Sequence, residues 1–344
     1  MSSTQTTQTH SPVAPAPGTS RALRQDLAPM TRSSSDLAVH AEGLTKAYGA
    51  TRALDGIDLA VPAGTVLGVL GPNGAGKTTA VRILATLLRP DGGTARVAGH
   101  DVVREPDAVR RSIGLTGQYA SVDEDLTGRE NLVMVGRLLD LPGRAAKARA
   151  AALLADFDLD DAADRAAKTY SGGMRRRLDL AVSLVSSPQV IFLDEPTTGL
   201  DPAKRDEVWG IVRRLVADGT TVLLTTQYLE EAEALADAIT VIDAGRVIAT
   251  GTPAELKRVV GASSVRVRPA DPGDLPAVLA LLERVTGRVP DSPGRGVASV
   301  PGDEGVLRTL LDVVQREGIA LSELALALPS LDEVFFALTR KDAR

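Results

Sequence analysis

Regular alternation of apolar and polar residues begins only at Leu37. The positions before it are rich in Ser, Thr, Pro and Gln and show no period, so residues 1–36 are predicted to be a disordered tail. Beyond the tail, alternation over Ala38–Leu44 and again over Ala53–Val61 predicts antiparallel strands, each with one buried face.

After these strands the pattern changes to short apolar runs separated by longer segments with helical spacing. Such runs are typical of parallel strands buried on both faces, with crossover helices between them. The sequence therefore predicts an α/β domain over residues 37–260. Its predicted strands are Thr65–Leu70, Thr94–Ala98, Ser112–Thr116, Gln189–Asp194, Thr221–Thr225 and Ile239–Ile242, its helices are Thr78–Leu88 and Tyr228–Leu235, and a largely helical stretch covers Thr127–Ala167.

Residues 261–344 are predicted to form a second, small α+β unit with a regulatory or dimerisation role. Their strand and helix patterns follow a β-α-β-β-α-β order, which indicates a ferredoxin-like sandwich. The predicted strands are Ser264–Val267, Arg288–Pro290, Val297–Val300 and Leu321–Leu326, the helices between them are Leu275–Val285 and Glu304–Arg316, and a last helix covers Ser330–Thr339.

Composition narrows the class of protein. The chain has 344 residues, which leaves room for two domains, and 44% apolar residues suffice for an ordinary core. A formal net charge of −5 argues against electrostatic binding of nucleic acid. The sequence has no cysteine and three separated histidines, which argues against disulfides and against metal sites built from thiolates or imidazoles. No apolar stretch approaches the roughly 18 residues of a membrane-spanning helix, so any membrane role is expected to come through a partner.

A phosphate-binding pattern, G-x-x-x-x-G-K-[ST], is matched by Gly71-Pro72-Asn73-Gly74-Ala75-Gly76-Lys77-Thr78, with Thr79 after it. In such a loop, glycines let backbone N–H groups surround the phosphates, the Lys77 ammonium reaches the β and γ oxygens, and the Thr78 hydroxyl takes a Mg²⁺ position. A glycine-rich turn entering a helix is the simpler alternative. The predicted strand before the loop and helix after it are the context that the phosphate site needs, so a nucleotide site is favoured.

A second segment belongs to the same site. The apolar run that begins at Val190 ends in Asp194 and Glu195, which places both carboxylates at the edge of the sheet where such folds bind ligands. Asp194 is predicted to hold Mg²⁺ and Glu195 to polarise a water molecule.

A third motif, Tyr170-Ser171-Gly172-Gly173-Met174, lies between these two. Taken by itself it is a serine N-cap opening a helix. The two glycines also leave the first N–H groups of that helix accessible to an anion. Gly199-Leu200-Asp201-Pro202 follows the carboxylate strand.

With these motifs in this order, residues 37–258 resemble the ATP-binding subunit of an ABC transporter. The resemblance implies a P-loop NTPase fold with a helical subdomain, and ATP and Mg²⁺ as ligands. It also implies roles for individual residues: Gly71 to Thr79 as the Walker A loop, Val190 to Glu195 as the Walker B strand, Ser171, Gly172 and Gly173 as the signature, Gln118 as the metal-sensing Q-loop residue, Asp201 as the D-loop and Tyr48 as the aromatic residue that stacks on adenine.

The chain departs from the family pattern at Gln227, where the family usually has a histidine that contacts the γ-phosphate. A glutamine amide can hydrogen-bond the phosphate and the attacking water, but it cannot titrate or transfer a proton. Glu195 is then the expected base. Two alternatives stay open at this point: Gln227 caps the helix that follows it, and Tyr48 packs in the core instead of stacking on a base.

Gln227 and the C-terminal run Leu328–Thr339 together resemble the daunorubicin-resistance branch of the family. That resemblance implies a separate polytopic permease of the ABC-2 type, attachment at the cytoplasmic face of the membrane and export of a hydrophobic small molecule. One loop and one signature in each chain imply a homodimer. The rival functions are a soluble ABC ATPase that acts outside transport and a regulator that binds ATP without useful turnover.

Overall fold

The computed structural model describes residues 36–117, 122–260, 263–294 and 296–327. The predictions of a disordered N-terminal tail, of a Q-loop residue at Gln118 and of a closing helix over Ser330–Thr339 therefore lie outside the described residues, apart from Asp36.

An antiparallel sheet forms from the first alternating segments. Each strand has buried residues at alternate positions over much of its length, which is the period of a strand with one face on a core. The strands run in the order β2-β1-β4-β5. Their bounds are Leu37–Tyr48 (β1), Thr51–Pro62 (β2), Gly92–Val97 (β4) and His100–Asp101 (β5).

The second sheet has the order β10-β9-β3-β8-β7-β6. Its strands pair in parallel except at the β10-β9 edge, as the alternation of strands and helices predicts. Their bounds are Val66–Leu70 (β3), Ile113–Thr116 (β6), Val190–Asp194 (β7), Thr221–Thr226 (β8), Ala238–Asp243 (β9) and Arg246–Gly251 (β10).

Strand β7 is buried on both faces, and its side chains alternate between two hydrophobic cores. Val190 and Phe192 belong to the core shared with the antiparallel sheet. Ile191 and Leu193 belong to the core shared with the helical part of the domain. The unbroken apolar run before Asp194 is explained by this two-sided burial.

Helices cover the parallel sheet, and residues 128–162, called the helical segment below, follow β6. Their bounds are Lys77–Leu84 (α1), Pro106–Ser112 (α2), Gly128–Leu138 (α3), Gly143–Asp156 (α4), Gly172–Ser183 (α5), Pro202–Ala217 (α6), Leu229–Leu235 (α7) and Pro253–Val260 (α8). Helix α1 stops four residues before its predicted end at Leu88, because Ala85 caps it and Thr86 adopts a φ of 62°. No helix in the described ranges is both long and apolar enough to cross a membrane.

The C-terminal elements have a small hydrophobic core of their own, which includes Val265, Val267, Val278, Leu282 and Leu310. Their chain order is the predicted β-α-β-β-α-β order, and the four strands form an antiparallel sheet in the order β12-β13-β11-β14. The bounds are Ser264–Pro269 (β11), Leu275–Thr286 (α9), Asp291–Gly294 (β12), Val297–Pro301 (β13), Glu304–Glu317 (α10) and Leu321–Ala327 (β14).

The predicted strand over Arg288–Pro290 is wrong, because the strand in this position is Asp291–Gly294. Helix α9 ends at Thr286, and its C-cap Gly287 has a left-handed φ of 67°, so the chain turns over the next residues. Pro290 also lacks the N–H that a strand residue donates to its neighbour.

Candidate nucleotide site

The loop between β3 and α1 has no room for side chains at two of its glycines. A Cβ at Gly71 would lie 2.2 Å from the carbonyl oxygen of Ile242, and one at Gly76 would lie 2.5 Å from that of Ala53. Gly76 also has a φ of 109°, which residues with a side chain rarely adopt. Helix α1 begins directly after it without a side-chain cap, so its first N–H groups are available to an anion.

The Lys77 side chain is 4% exposed and folds back over this loop. Its ammonium donates to the carbonyl oxygens of Gly71 at 2.8 Å and of Pro72 at 3.2 Å. It also lies 3.5 Å from Oε1 of Glu195. A buried cation is therefore held where the loop and the end of β7 meet.

Asp194 ends β7 and accepts two hydroxyl groups at a single oxygen. The Thr78 hydroxyl donates to its Oδ1 at 3.1 Å, and the Thr225 hydroxyl donates to the same atom at 2.5 Å. Two segments that are far apart in sequence thus meet at one oxygen, as the motif spacing predicts. Asp194 is 4% exposed, so its charge is largely removed from water.

Glu195 lies just beyond the strand with a φ of 52°, a left-handed conformation that is rare for a residue with a side chain. Its backbone N–H donates to the carbonyl oxygen and to the hydroxyl of Thr225, each at 3.1 Å. Its Oε2 accepts the Thr198 hydroxyl at 3.2 Å. The surrounding contacts fix an unusual backbone at the carboxylate, which is typical of functional positions.

These residues suit a hard divalent cation. The hydroxyls of Thr78 and Thr225 converge on the Asp194 carboxylate, and the next residue, Glu195, has a second carboxylate. Mg²⁺ prefers oxygen ligands and commonly takes one or two carboxylates together with phosphate oxygens. With one ammonium against two carboxylates, the site also has the negative charge that a cation balances.

Helix α5 begins at the third motif. Ser171 is its N-cap and accepts the N–H of Met174 at 3.2 Å, which confirms the structural interpretation of this serine. Ser171 and Gly172 are exposed. The preceding Tyr170 is buried and donates its hydroxyl to the carbonyl oxygen of Ala162 at 2.7 Å, so it anchors the start of the helix to the helical segment.

Asp201 caps helix α6 by accepting the N–H of Lys204 at 3.0 Å, and its carboxylate also pairs with the Lys204 ammonium. The Lys204 methylenes pack against the third motif, because a Cβ at Gly173 would lie 3.0 Å from Cδ of Lys204. The structure thus brings the predicted signature and D-loop residues together.

Gln227 follows β8 and is half-buried. The capping alternative is wrong, because the N-cap of α7 is Tyr228 and the helix has no side-chain cap. Within the described part of the chain the Gln227 amide has no hydrogen-bond partner, which leaves it available to a ligand.

The residue after Gln227, Tyr228, contacts a cation. The Arg205 guanidinium lies 4.8 Å from the centroid of the Tyr228 ring, and Nε of Arg205 donates to the Leu200 carbonyl at 3.2 Å.

Tyr48 is 49% exposed at the end of β1, so the core-packing alternative is also wrong. Its partner across the hairpin is Thr51, two residues before the Ala53 carbonyl that lies against Gly76. An exposed aromatic ring near the phosphate loop has a face available for stacking on a base.

Sequence reasoning missed two supports of the carboxylates, Thr225 and Thr198. Thr225 lies opposite Asp194 in the pairing of β7 with β8. The signal in the sequence was the hydroxyl residue at the end of the predicted strand Thr221–Thr225. Thr198 gave no signal, because its contact depends on the unusual backbone of Glu195.

Comparison with known proteins agrees with this geometry. A family model described as ABC transporter matches residues 54–198. A daunorubicin resistance ATP-binding protein, DrrA2, from Streptomyces coeruleorubidus is 58% identical over 88% of this chain and 95% of its own length. The structure of cbiO1 from Clostridium perfringens, part of the ABC transporter complex cbiONQ, covers 65% of this chain and 93% of its own at a TM-score of 0.60 and 27% identity.

A dimeric ATP-binding cassette in a post-hydrolysis state, bound to ADP and phosphate, covers 62% of this chain and 98% of its own at a TM-score of 0.57 and 25% identity. Both solved structures match a part of the chain about the size of the predicted α/β domain. The chain belongs to the ATP-binding proteins of ABC transporters, in the branch of the daunorubicin-resistance ATP-binding proteins.

Proposed function

We propose that this chain hydrolyses ATP to drive export of a hydrophobic drug-like molecule through a separate polytopic permease, to which it attaches at the cytoplasmic face of the membrane. The observation that carries the ATPase part is the meeting of Thr78 and Asp194 at 3.1 Å, with Lys77 and Glu195 beside them. The drug part is supported by the close relative named for daunorubicin resistance.

The phosphates of ATP are bound by the backbone N–H groups of the loop Gly71–Gly76 and of the start of helix α1, and by the Lys77 ammonium. That ammonium exchanges its carbonyl contacts for phosphate oxygens, which are stronger acceptors because they carry charge. Thr78 and Asp194, with Gln118 by family resemblance, would hold Mg²⁺, whose charge offsets that of the β- and γ-phosphates.

Glu195 is positioned to accept the proton of the attacking water. Thr225 holds its backbone and Thr198 holds one of its oxygens, so the carboxylate needs little reorganisation during the reaction. The amide of Gln227, which no described residue hydrogen-bonds, can hydrogen-bond the γ-phosphate and the water, which leaves proton transfer to Glu195.

Two copies of the chain complete each site in this proposal. Ser171 and Gly172 are exposed at the N-terminus of α5, a helix start that favours an anion. They are suited to contact the γ-phosphate held by the loop of the second copy, so ATP links the copies and hydrolysis lets them separate. The dimeric relative bound to ADP and phosphate supports this arrangement.

Transport is tested with inside-out membrane vesicles that contain the full chain and the permease with which it co-purifies. We expect uptake of daunorubicin that requires ATP and is lost in the Glu195→Gln variant, measured by quenching of daunorubicin fluorescence. Co-purification with ribosomes or DNA instead of a polytopic protein, with no ATP-dependent uptake, would favour the soluble alternative.

The Gln227→Ala variant is expected to hydrolyse ATP about 10- to 100-fold more slowly, because a hydrogen bond to a charged group is lost. The pH dependence of the rate should keep its shape between about pH 6 and 8, since a glutamine does not titrate. The rate of phosphate release measured across this range checks both points. An imidazole-like inflection in the parent chain would contradict the role given to Gln227.

A further inference from the structure

A buried group of charged side chains lies one and a half turns into helix α5, beneath its exposed start. The side chains of Arg176, Asp179 and Glu231 are 15%, 2% and 1% exposed. Arg176 and Asp179 are on α5 and form an ion pair at 3.1 Å, while Glu231 is on α7 and accepts the Trp209 indole N–H at 3.3 Å. Buried charges are costly, so their presence calls for a reason beyond packing.

Arg176 also binds two backbone carbonyls at the candidate nucleotide site. Its Nε donates to the Pro196 carbonyl at 2.8 Å, directly after Glu195. One terminal nitrogen donates to the Gly117 carbonyl at 3.2 Å, directly before Gln118. A single side chain of helix α5 thus contacts two segments at the candidate nucleotide site, one directly after Glu195 and one directly before Gln118.

The charges around Arg176 keep it in place. Burial lowers the pKa of its guanidinium, and the carboxylates of Asp179, Glu231 and Asp194 counteract that effect, so the group remains a cation. Burial also raises the pKa of the Glu231 carboxyl; hydrogen bonds, among them the one from Trp209, oppose this rise most, and the charge of Arg176 opposes it least. The other terminal nitrogen of Arg176 has no hydrogen-bond partner within the described ranges.

The next residue, Arg177, also donates to backbone carbonyls, but to those of the helical segment. Its terminal nitrogen donates to the carbonyl oxygens of Phe157 at 3.1 Å and Asp158 at 3.5 Å, both at the end of helix α4. Consecutive arginines therefore attach α5 to two different parts of the domain. Arg176 binds the segments at the candidate nucleotide site, and Arg177 binds the helical segment.

We propose that Arg176 is a positioning residue that couples the two nucleotide sites of the dimer, by tying the start of helix α5 to the segments that follow Glu195 and precede Gln118. The inference rests on the proposed function, in which Ser171 of one copy contacts the nucleotide of the other. A shift of either segment when nucleotide binds is passed through the guanidinium to α5, and so to the neighbouring site. A lysine cannot replace this fork, because its single ammonium lacks the planar set of donors.

The test uses the full-length chain with Glu195→Gln as background, so that ATP binds without turnover. Dimer formation is measured by light scattering after size exclusion over a range of Mg-ATP concentrations, and ADP affinity is measured separately by titration. Arg176→Met is compared with Arg177→Met, a matched loss of one arginine from the same helix. Arg176→Lys keeps the positive charge, and it replaces Arg176→Met in the comparison if the methionine variant is poorly folded.

We expect Arg176→Met to raise the ATP concentration for half-maximal dimerisation about tenfold and Arg176→Lys about threefold, as for loss of charge-assisted hydrogen bonds. Arg177→Met should shift it less than about twofold, and ADP affinity should change less than about twofold in all variants. A purely structural role would lower ADP affinity or affect both arginines alike. Equal shifts for Arg176→Met and Arg177→Met would overturn the coupling role alone, whereas a Glu195→Gln background that stays monomeric would overturn the dimeric function.

Discussion

The Glu195→Gln variant is expected to hydrolyse ATP at least about 100-fold more slowly than the parent chain, while binding ATP with similar affinity. Glutamine has nearly the shape of glutamate and retains an oxygen that accepts the Thr198 hydroxyl, but its amide is not a base. Because the phosphate loop is untouched, the variant should also accumulate as an ATP-bound dimer. Phosphate release, nucleotide titration and light scattering measure the three quantities.

The matched control is Glu207→Gln, which removes an exposed carboxylate from helix α6. Its turnover should stay within about twofold of the parent rate, since exposed charges away from a site contribute little. If Glu195→Gln hydrolysed ATP as fast as this control, a base other than Glu195 would have to be found, and the left-handed backbone at that residue would need another explanation.

Lys77→Ala is the second large change, with an expected loss of nucleotide affinity of at least about 30-fold, or about 2 kcal/mol. The Lys77 side chain is 4% exposed, and its ammonium lies beside both the phosphate loop and Glu195. Its removal takes away a charged contact to the phosphates and the positive charge that lies 3.5 Å from the Glu195 carboxylate. Titration with a fluorescent ATP analogue gives the affinity directly.

Lys257→Ala is the comparison for this prediction, because Lys257 also pairs with a glutamate, Glu233, but lies in helix α8 and not in the loop. Its nucleotide affinity should match that of the parent chain. Unchanged ATP binding in Lys77→Ala, with normal affinity in the control, would show that the loop around Gly71 does not bind the phosphates.

The parts of the site that follow from local sequence were predictable. Lys77 and Thr78 are fixed by the loop pattern, and Asp194 by the apolar run before it, so their meeting at one sheet edge follows from parallel strand topology alone. The β-α-β-β-α-β order of the last elements was likewise visible in the spacing of apolar residues.

Contacts that depend on packing between distant elements were not predictable. Arg176 looks like one of three surface arginines after Met174, and only the fold shows that it turns inward toward Pro196 while Arg177 turns to Phe157. The prediction of a strand over Arg288–Pro290 was wrong for a related reason. The residues that the apolar pattern assigned to that strand belong to the turn that follows the C-cap of α9 at Gly287.

The division of β7 between two cores restricts how the family site can evolve. Sliding this strand by one position would push Phe192 into the layer now occupied by Leu193 and disturb both layers at once. Asp194 therefore sits on a part of the molecule that tolerates little adjustment. Differences in speed between related exporters should then originate in replaceable neighbours such as Gln227, whose side chain is tied to no described residue and can be exchanged without moving the strand.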